Sequence, residues 1–144
     1  MERLSKICLI ATVWLVKNTI LVLDDEPKVR DLLCEDLPIH GFEVIACGNC
    51  QSALKLIEEK PIDVILLDYH LSDGTGADFF RSIQAAHVNI PVIFITNFPN
   101  VEEAVKLMKE GAADYILKPF SISDVVSRLN RIIDMGNLRA GKFT

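Results

Sequence analysis

Thr19-Ile-Leu-Val-Leu-Asp-Asp-Glu-Pro27 is the stretch on which the fold turns. Its first five residues are all β-branched or aliphatic, so a strand built from them is apolar on both faces. Such a strand sits inside a parallel sheet with helices above and below it. Three acids stop the run. Pro27 follows, and its fixed φ and missing N–H suit the first turn of a helix. These nine residues therefore read as a strand, a charged loop and a helix start.

The same alternation continues outward. Phe42-Glu-Val-Ile-Ala46, Ile62-Asp-Val-Ile-Leu-Leu67 and Pro91-Val-Ile-Phe-Ile95 are further short apolar runs, and Asp114-Tyr-Ile-Leu117 is a briefer fifth. Amphipathic stretches separate them. The spacing predicts a helix from Pro27 to about His40, closed before Gly41. A second spans Cys50–Glu59, capped by Asn49, with Ala53, Leu54 and Ile57 on one face. A third, Gly76–Ala86, carries Phe79, Phe80 and Ile83. Asn100 with Glu103 resembles a capping box for a fourth ending near Gly111, with Ala104, Val105 and Met108 inward. Ser121 and Asp124 open the last, Ile122 to about Met135. Five βα units with right-handed crossovers give a three-layer α/β sandwich.

Composition sets outer limits. A chain of 144 residues and 16.1 kDa, half of it hydrophobic, fits one domain with a sizeable core. Fifteen Lys and Arg against twenty Asp and Glu leave a net charge of −5, which argues against a direct nucleic-acid surface. The four cysteines, Cys8, Cys34, Cys47 and Cys50, accompany no convincing secretory signal, so reduced thiols and a cytoplasmic setting are expected. Arg3 and Lys6 precede an apolar run, Ile7 to Val16, with no small-residue cleavage site after it. That run is far short of the ~20 residues that span a bilayer, so no transmembrane span is expected. The expected organisation is an N-terminal apolar extension over 1–17, a domain over 18–136 and a tail over 137–144. That tail is too short for a DNA-binding helix pair.

In open α/β sheets, sites form outside the carboxyl ends of the strands. Here those ends carry Asp24-Asp25-Glu26, then Asp68, then Thr96, then Lys118-Pro119. One acid after a strand is usually a turn or cap residue. Asp24, Asp25 and Asp68 converging with a lysine and a hydroxyl call for another account. Two carboxylates ~5 Å apart repel by about 3 kcal/mol at an effective dielectric of ~20. Such a cluster raises a pKa or recruits a cation, and hard oxygens suit Mg²⁺ or Mn²⁺. Lys118 and Thr96 can meet two further oxygens of a phosphoryl group, leaving Asp68 placed as a carboxylate nucleophile toward phosphorus.

Four segments then matter together: Leu21-Val-Leu-Asp-Asp-Glu26, Val64-Ile-Leu-Leu-Asp68, Ile93-Phe-Ile-Thr96 and Gly111-Ala-Ala-Asp-Tyr-Ile-Leu-Lys-Pro-Phe120. In this order they resemble the signature segments of the receiver domain of bacterial two-component response regulators, over roughly Asn18 to Met135. The resemblance implies a flavodoxin-like fold with strand order 2-1-3-4-5. It implies that Asp68 accepts phosphate from a phosphohistidine on a sensor histidine kinase or phosphotransfer protein. Asp24, Asp25 and Asp68 would hold Mg²⁺ with the backbone carbonyl of His70. Lys118 would pair with the phosphoryl group, across a cis bond to Pro119. Thr96 and Tyr115 would form the switch pair that reshapes the surface of the fourth helix, fifth strand and fifth helix. A homodimer or a downstream effector would then dock through residues about 100–135. Ser72, Asn97 and His70 depart from or modulate the family's usual pattern, and Gly76 keeps it.

Other chemistries fit less well. Cys47-Gly-Asn-Cys50 lies between a strand and a helix, where a redox pair would gain from a helix N-terminus lowering the Cys47 pKa. No Trp precedes it, and two thiols in a surface loop is the bland reading. A zinc site lacks a second pair of ligands. A nucleotide-binding fold would want glycines where Asp24-Asp25-Glu26-Pro27 stands. A haloacid-dehalogenase-type phosphatase would want Asp-x-Asp-x-Thr there. A pseudo-receiver that never turns over phosphate is opposed by the complete set of Asp68, Thr96 and Lys118.

Overall fold

In the computed structural model, residues 17–97 and 100–139 are described. The run Ile7–Val16, Cys8 and the end of the expected tail lie outside these residues. Five strands form one parallel sheet: β1 (Asn18–Leu23), β2 (Phe42–Cys47), β3 (Val64–Asp68), β4 (Val92–Thr96) and β5 (Asp114–Leu117), in the order 2-1-3-4-5. Its register runs Ile20 to Val44 and Val64, then Leu66 to Ile93, then Ile93 to Asp114. The helices between are α1 (Pro27–Asp36), α2 (Cys50–Glu59), α3 (Gly76–Ala85), α4 (Val101–Lys109) and α5 (Ile122–Arg139).

Alternation along the strands divides the core in two. Ile20, Val22, Val64 and Leu66 face Leu33, Leu37, Val125, Leu129 and Ile132 of the α1 and α5 layer. Leu21, Leu23, Ile65 and Leu67 face Ala53, Phe79, Phe80, Ile83 and Leu107 of the α2, α3 and α4 layer. Most of these are completely buried, each contributing about 1.5–3 kcal/mol where the side chain is large. The doubly apolar strands of the sequence are the doubly covered strands of the fold.

Several boundaries and faces differ from expectation. The α1 helix gives way at Leu37–His40 to a turn of 3₁₀ helix, because Pro38 has no N–H to carry the ladder onward. Gly41, at φ +92°, then closes it. Leu54 is 44% exposed while its neighbour Ala53 is buried. On α4, Val105 and Met108 face out and Leu107 faces in, so the expected inward face is rotated. The α5 helix continues past Met135 to Arg139. A two-stranded ribbon, His70–Leu71 with Gly74–Thr75, follows β3. The expected caps are present: Asn49 accepts from Ser52 N–H at 2.8 Å, Asn100 from Glu103 N–H at 3.0 Å, and Ser121 from Asp124 N–H at 3.1 Å. Among the described residues, no helix is long and apolar enough to cross a membrane.

Candidate functional site

The parallel sheet carries every strand's carboxyl end to one edge, and the chemically distinctive residues collect there. Asp24 follows β1, Asp68 and Thr96 are the last residues of β3 and β4, and Lys118 follows β5. Asp24, Asp68 and Thr96 are buried, at 2%, 4% and 0% exposure, whereas Asp25 is exposed. Carboxylate oxygens of Asp24, Asp25 and Asp68 all lie within 4.8 Å of one another.

A single ammonium threads the cluster. Lys118 Nζ is 2.9 Å from Asp24 Oδ2, 2.9 Å from Glu26 Oε1 and 3.5 Å from Asp68 Oδ2. Its backbone is pinned as well, with Lys118 N–H donating to Thr96 C=O at 2.8 Å, and the Lys118–Pro119 bond is cis as expected. Asp24 is fixed from three sides. Its Oδ1 accepts from Glu26 N–H at 2.9 Å, its carbonyl accepts from Arg30 Nη1 at 2.6 Å, and its N–H donates to Cys47 C=O at 3.1 Å.

Burial and the neighbouring Asp24 push the Asp68 carboxyl up to about 7, against the pull of Lys118. Burial works to lower Lys118, but its hydrogen bonds to Asp24 and Glu26 outweigh that and hold it above its usual value. Three carboxylates in so small a space repel by roughly 3 kcal/mol per pair at an effective dielectric of ~20. The donor set therefore fits a hard divalent cation, with oxygen ligands on one side and open solvent on the other.

The sequence brought Asp24, Asp25, Asp68, Thr96 and Lys118 to this edge, and the structure places them together. Tyr115 lies on β5 with its ring 6.3 Å from that of Phe94. His70 stands just beyond Asp68 in the ribbon, its side chain exposed and stacked edge-on against Tyr69 at 4.9 Å. Two contributors had no assigned role. Glu26 takes a hydrogen bond from Lys118, which the acidic run Asp24-Asp25-Glu26 could have signalled. Gly76 packs on the Asp68 carbonyl so closely that a Cβ there would overlap it, which is why glycine stands at the start of α3.

The Cys47-Gly-Asn-Cys50 loop has the opposite chemistry to a redox pair. Burial raises the Cys47 thiol to about 11; burial and a hydrogen bond to Asp73 raise Cys50 to about 12. The backbone hydrogen bond from Asn49 and the charge of Arg30 pull the Cys47 thiol down, and burial outweighs both. Asp73 instead accepts from the N–H groups of Cys50 and Gln51, at 2.9 and 3.3 Å, and ties the β3–α3 loop to α2.

Comparison with known proteins agrees with this geometry. The response regulator receiver domain family matches residues 20–130. A putative NtrX-like response regulator of Rickettsia typhi is 36% identical over 122 residues, covering 83% of this chain and 26% of that protein. The phosphate regulon regulator PhoB of Pseudomonas aeruginosa is 33% identical over 121 residues, covering 83% of this chain and 53% of its own. The chain thus spans about a quarter to a half of these relatives. Among solved structures, a receiver domain from Clostridium thermocellum superposes with a TM-score of 0.78 at 30% identity, covering 84% of this chain and 98% of the other. NtrX from Brucella abortus gives 0.79 at 30% identity, over 88% of this chain and 28% of its own. Strand order, acid cluster and family match converge: the chain belongs to the response regulator receiver domains of two-component signalling, whose function is to accept a phosphoryl group.

Proposed function

We propose that Asp68 is the phospho-acceptor and that the surrounding side chains catalyse both its phosphorylation and its dephosphorylation. The observation that carries this is the cluster of Asp24, Asp25 and Asp68 within 4.8 Å, with Lys118 shared among its members. An Asp68 oxygen attacks phosphorus in line. The P–N bond of a phosphohistidine breaks as the P–O bond forms, and the imidazole nitrogen leaves with its electron pair and is protonated from solvent. Mg²⁺, or Mn²⁺, held by Asp24, Asp25, Asp68 and the His70 carbonyl would supply charge neutralisation for the phosphoryl oxygens. Lys118 turns from its carboxylates to a phosphoryl oxygen, the Thr96 hydroxyl donates to another, and Tyr115 follows Thr96 inward.

The donor is a sensor histidine kinase or a phosphotransfer protein, which places the domain in the cytoplasm. A mostly apolar groove of about 380 Å³ beside Lys118, with Val29, Leu32, Pro119 and Phe120 in its wall, suits a helix that presents the phosphohistidine. Exposed Val101, Val105, Met108 and Leu117 on α4 and β5 suit a second copy or an effector as the downstream partner. The net charge of −5 disfavours direct contact of this segment with nucleic acid.

Incubation with acetyl phosphate and Mg²⁺, followed by intact-mass analysis, tests the acceptor. One phosphoryl group is expected on the wild-type chain, with none on Asp68→Asn and none after chelation of the metal. Labelling that persists in Asp68→Asn would move the acceptor elsewhere. Beryllofluoride is an independent probe, since the receiver of Klebsiella pneumoniae RstA, similar in fold at a TM-score of 0.75 and 25% identity, is described as BeF₃-activated.

A further inference from the structure

Asn100 and Glu103 have the spacing of a capping box, yet only half of the box is made. Asn100 Oδ1 accepts the Glu103 N–H at 3.0 Å, while the Glu103 side chain turns across to β3 and α3. There its Oε1 accepts the Tyr69 hydroxyl at 3.3 Å and stands 3.8 Å from Arg81 Nη2. Tyr69 directly follows Asp68, and its carbonyl accepts the Gly76 N–H at 2.6 Å, so the two residues move as one piece of backbone. Tyr115, the second member of the switch pair, lies within electrostatic reach of both Tyr69 and Glu103.

Arg81 explains why Glu103 is placed to report rather than merely to pair. The guanidinium is held on the other end of α4 by Glu110, at 2.9 Å from Nε and 3.3 Å from Nη2, and Gln84 adds a bond to the Glu110 carbonyl at 2.8 Å. The carboxyl end of α4 is therefore clasped to α3 by several charge-assisted bonds. Its amino end is tied to α3 and β3 through Glu103. A helix gripped firmly at one end and by a single carboxylate at the other turns about the firm end.

We propose that Glu103 is a positioning residue for the switch. Its carboxylate, facing Tyr69 beside the acceptor, Tyr115 on β5 and Arg81 on α3, couples occupancy of the Asp68 site to the seating of the amino end of α4. This rests on Asp68 being the acceptor. Occupancy that shifts Asp68 shifts Tyr69, and an inward turn of Tyr115 changes the electrostatic surroundings that it shares with the same carboxylate. Both events alter one contact at the amino end of α4, the end that carries exposed Val101 and Val105.

The chain's two tyrosines are the two in this cluster, which makes a direct readout available. The full chain, labelled with 3-fluorotyrosine, gives two ¹⁹F resonances that Tyr69→Phe assigns. Titration with beryllofluoride and Mg²⁺ is expected to move both in the wild type with one midpoint. In Glu103→Ala the response of the Tyr69 resonance is expected to fall at least twofold and the midpoint to shift at least twofold. Glu103→Gln, which keeps an oxygen acceptor, recovers most of the response; a carboxylate that served only helix stability would not distinguish the two in this way. Full wild-type responses in Glu103→Ala would overturn the proposal. Silence of both resonances in the wild type would instead defeat the acceptor reading, and the coupling with it.

Discussion

Buried aspartates stand at two different ends of the molecule with opposite charge balance. Asp114, 8% exposed at the start of β5, meets Arg128 Nη1 at 2.8 Å and Arg131 Nη2 at 3.1 Å, and accepts its neighbour Tyr115's N–H at 2.8 Å. Arg128 also holds Asp124 at 3.1 Å, so two carboxylates face two guanidinium groups and the cluster is neutral. At the other end, Asp24, Glu26 and Asp68 share the ammonium of Lys118, and Asp25 adds a further negative charge beside them. Arg30 is nearby but is turned to a backbone carbonyl. A balanced cluster locks α5 onto β5. An under-neutralised one stores repulsion that a bound divalent cation would relieve.

Removing the shared ammonium tests that reading most severely. Lys118→Ala is expected to weaken beryllofluoride binding about 30- to 150-fold, equivalent to roughly 2–3 kcal/mol for a lost charge-assisted bond. The Tyr115 response should vanish even at saturating ligand. Titration calorimetry with Mg²⁺ present measures the affinity. Unchanged affinity with a normal Tyr115 response would show that the lysine serves the fold and not the phosphoryl group.

Stability should separate the two aspartates by sign. Asp114→Ala takes the shared acceptor from two guanidinium groups, but Arg128 keeps Asp124 and both arginines are part exposed, which limits the loss to about 1–2 kcal/mol. Asp68→Asn removes a repelling charge and should stabilise the metal-free protein by about 1 kcal/mol at neutral pH. The pH dependence follows from the raised value of Asp68. Between about 4 and 7 the folded carboxyl binds more protons than the unfolded one, so Asp68's contribution becomes less favourable as pH rises through about 7. Thermal melts of Asp68→Asn and wild type should therefore coincide near pH 4, separate progressively between about 4 and 7, and keep a constant gap above that. Parallel melting curves across that range would mean that Asp68 carries no stored repulsion.

The unbalanced cluster was legible in the sequence and the balanced one was not, and the cause is physical. Strand carboxyl ends converge in any parallel sheet, so acids after β1 and β3 and a lysine after β5 announce their meeting once the strands are recognised. Asp114 with Arg128 joins a strand to a residue nearly two turns into a helix, and that depends on how α5 is rotated, which periodicity fixes only coarsely. The same coarseness misplaced α4: Val105, Leu107 and Met108 are all apolar, and only the tertiary packing makes Leu107 the one that joins the buried cluster. Glu103 carried a local signal, the capping box, that named its backbone role correctly and gave no hint of Tyr69. Pro38 carried a local signal of the break that the expected helix to His40 ran past, since a missing N–H acts locally whatever the tertiary context.

Arg131 sharpens the comparison at its weakest point. It is 64% exposed and is the second cation on Asp114, whose nearer partner Arg128 is only 33% exposed and bonds at the shorter distance. Removing one of two partners leaves the acid still neutralised, and an exposed pair contributes about 0–1 kcal/mol before screening by salt. Arg131→Met, which preserves much of the aliphatic stem, should cost less than about 0.5 kcal/mol, while Arg128→Met costs more because it also releases Asp124. The double variant should exceed the sum of the two, since only then does buried Asp114 lose both cations. Urea unfolding of the three variants measures this directly. Strict additivity would mean that the two arginines act independently, and the neutral cluster would then be two surface pairs rather than one lock between β5 and α5.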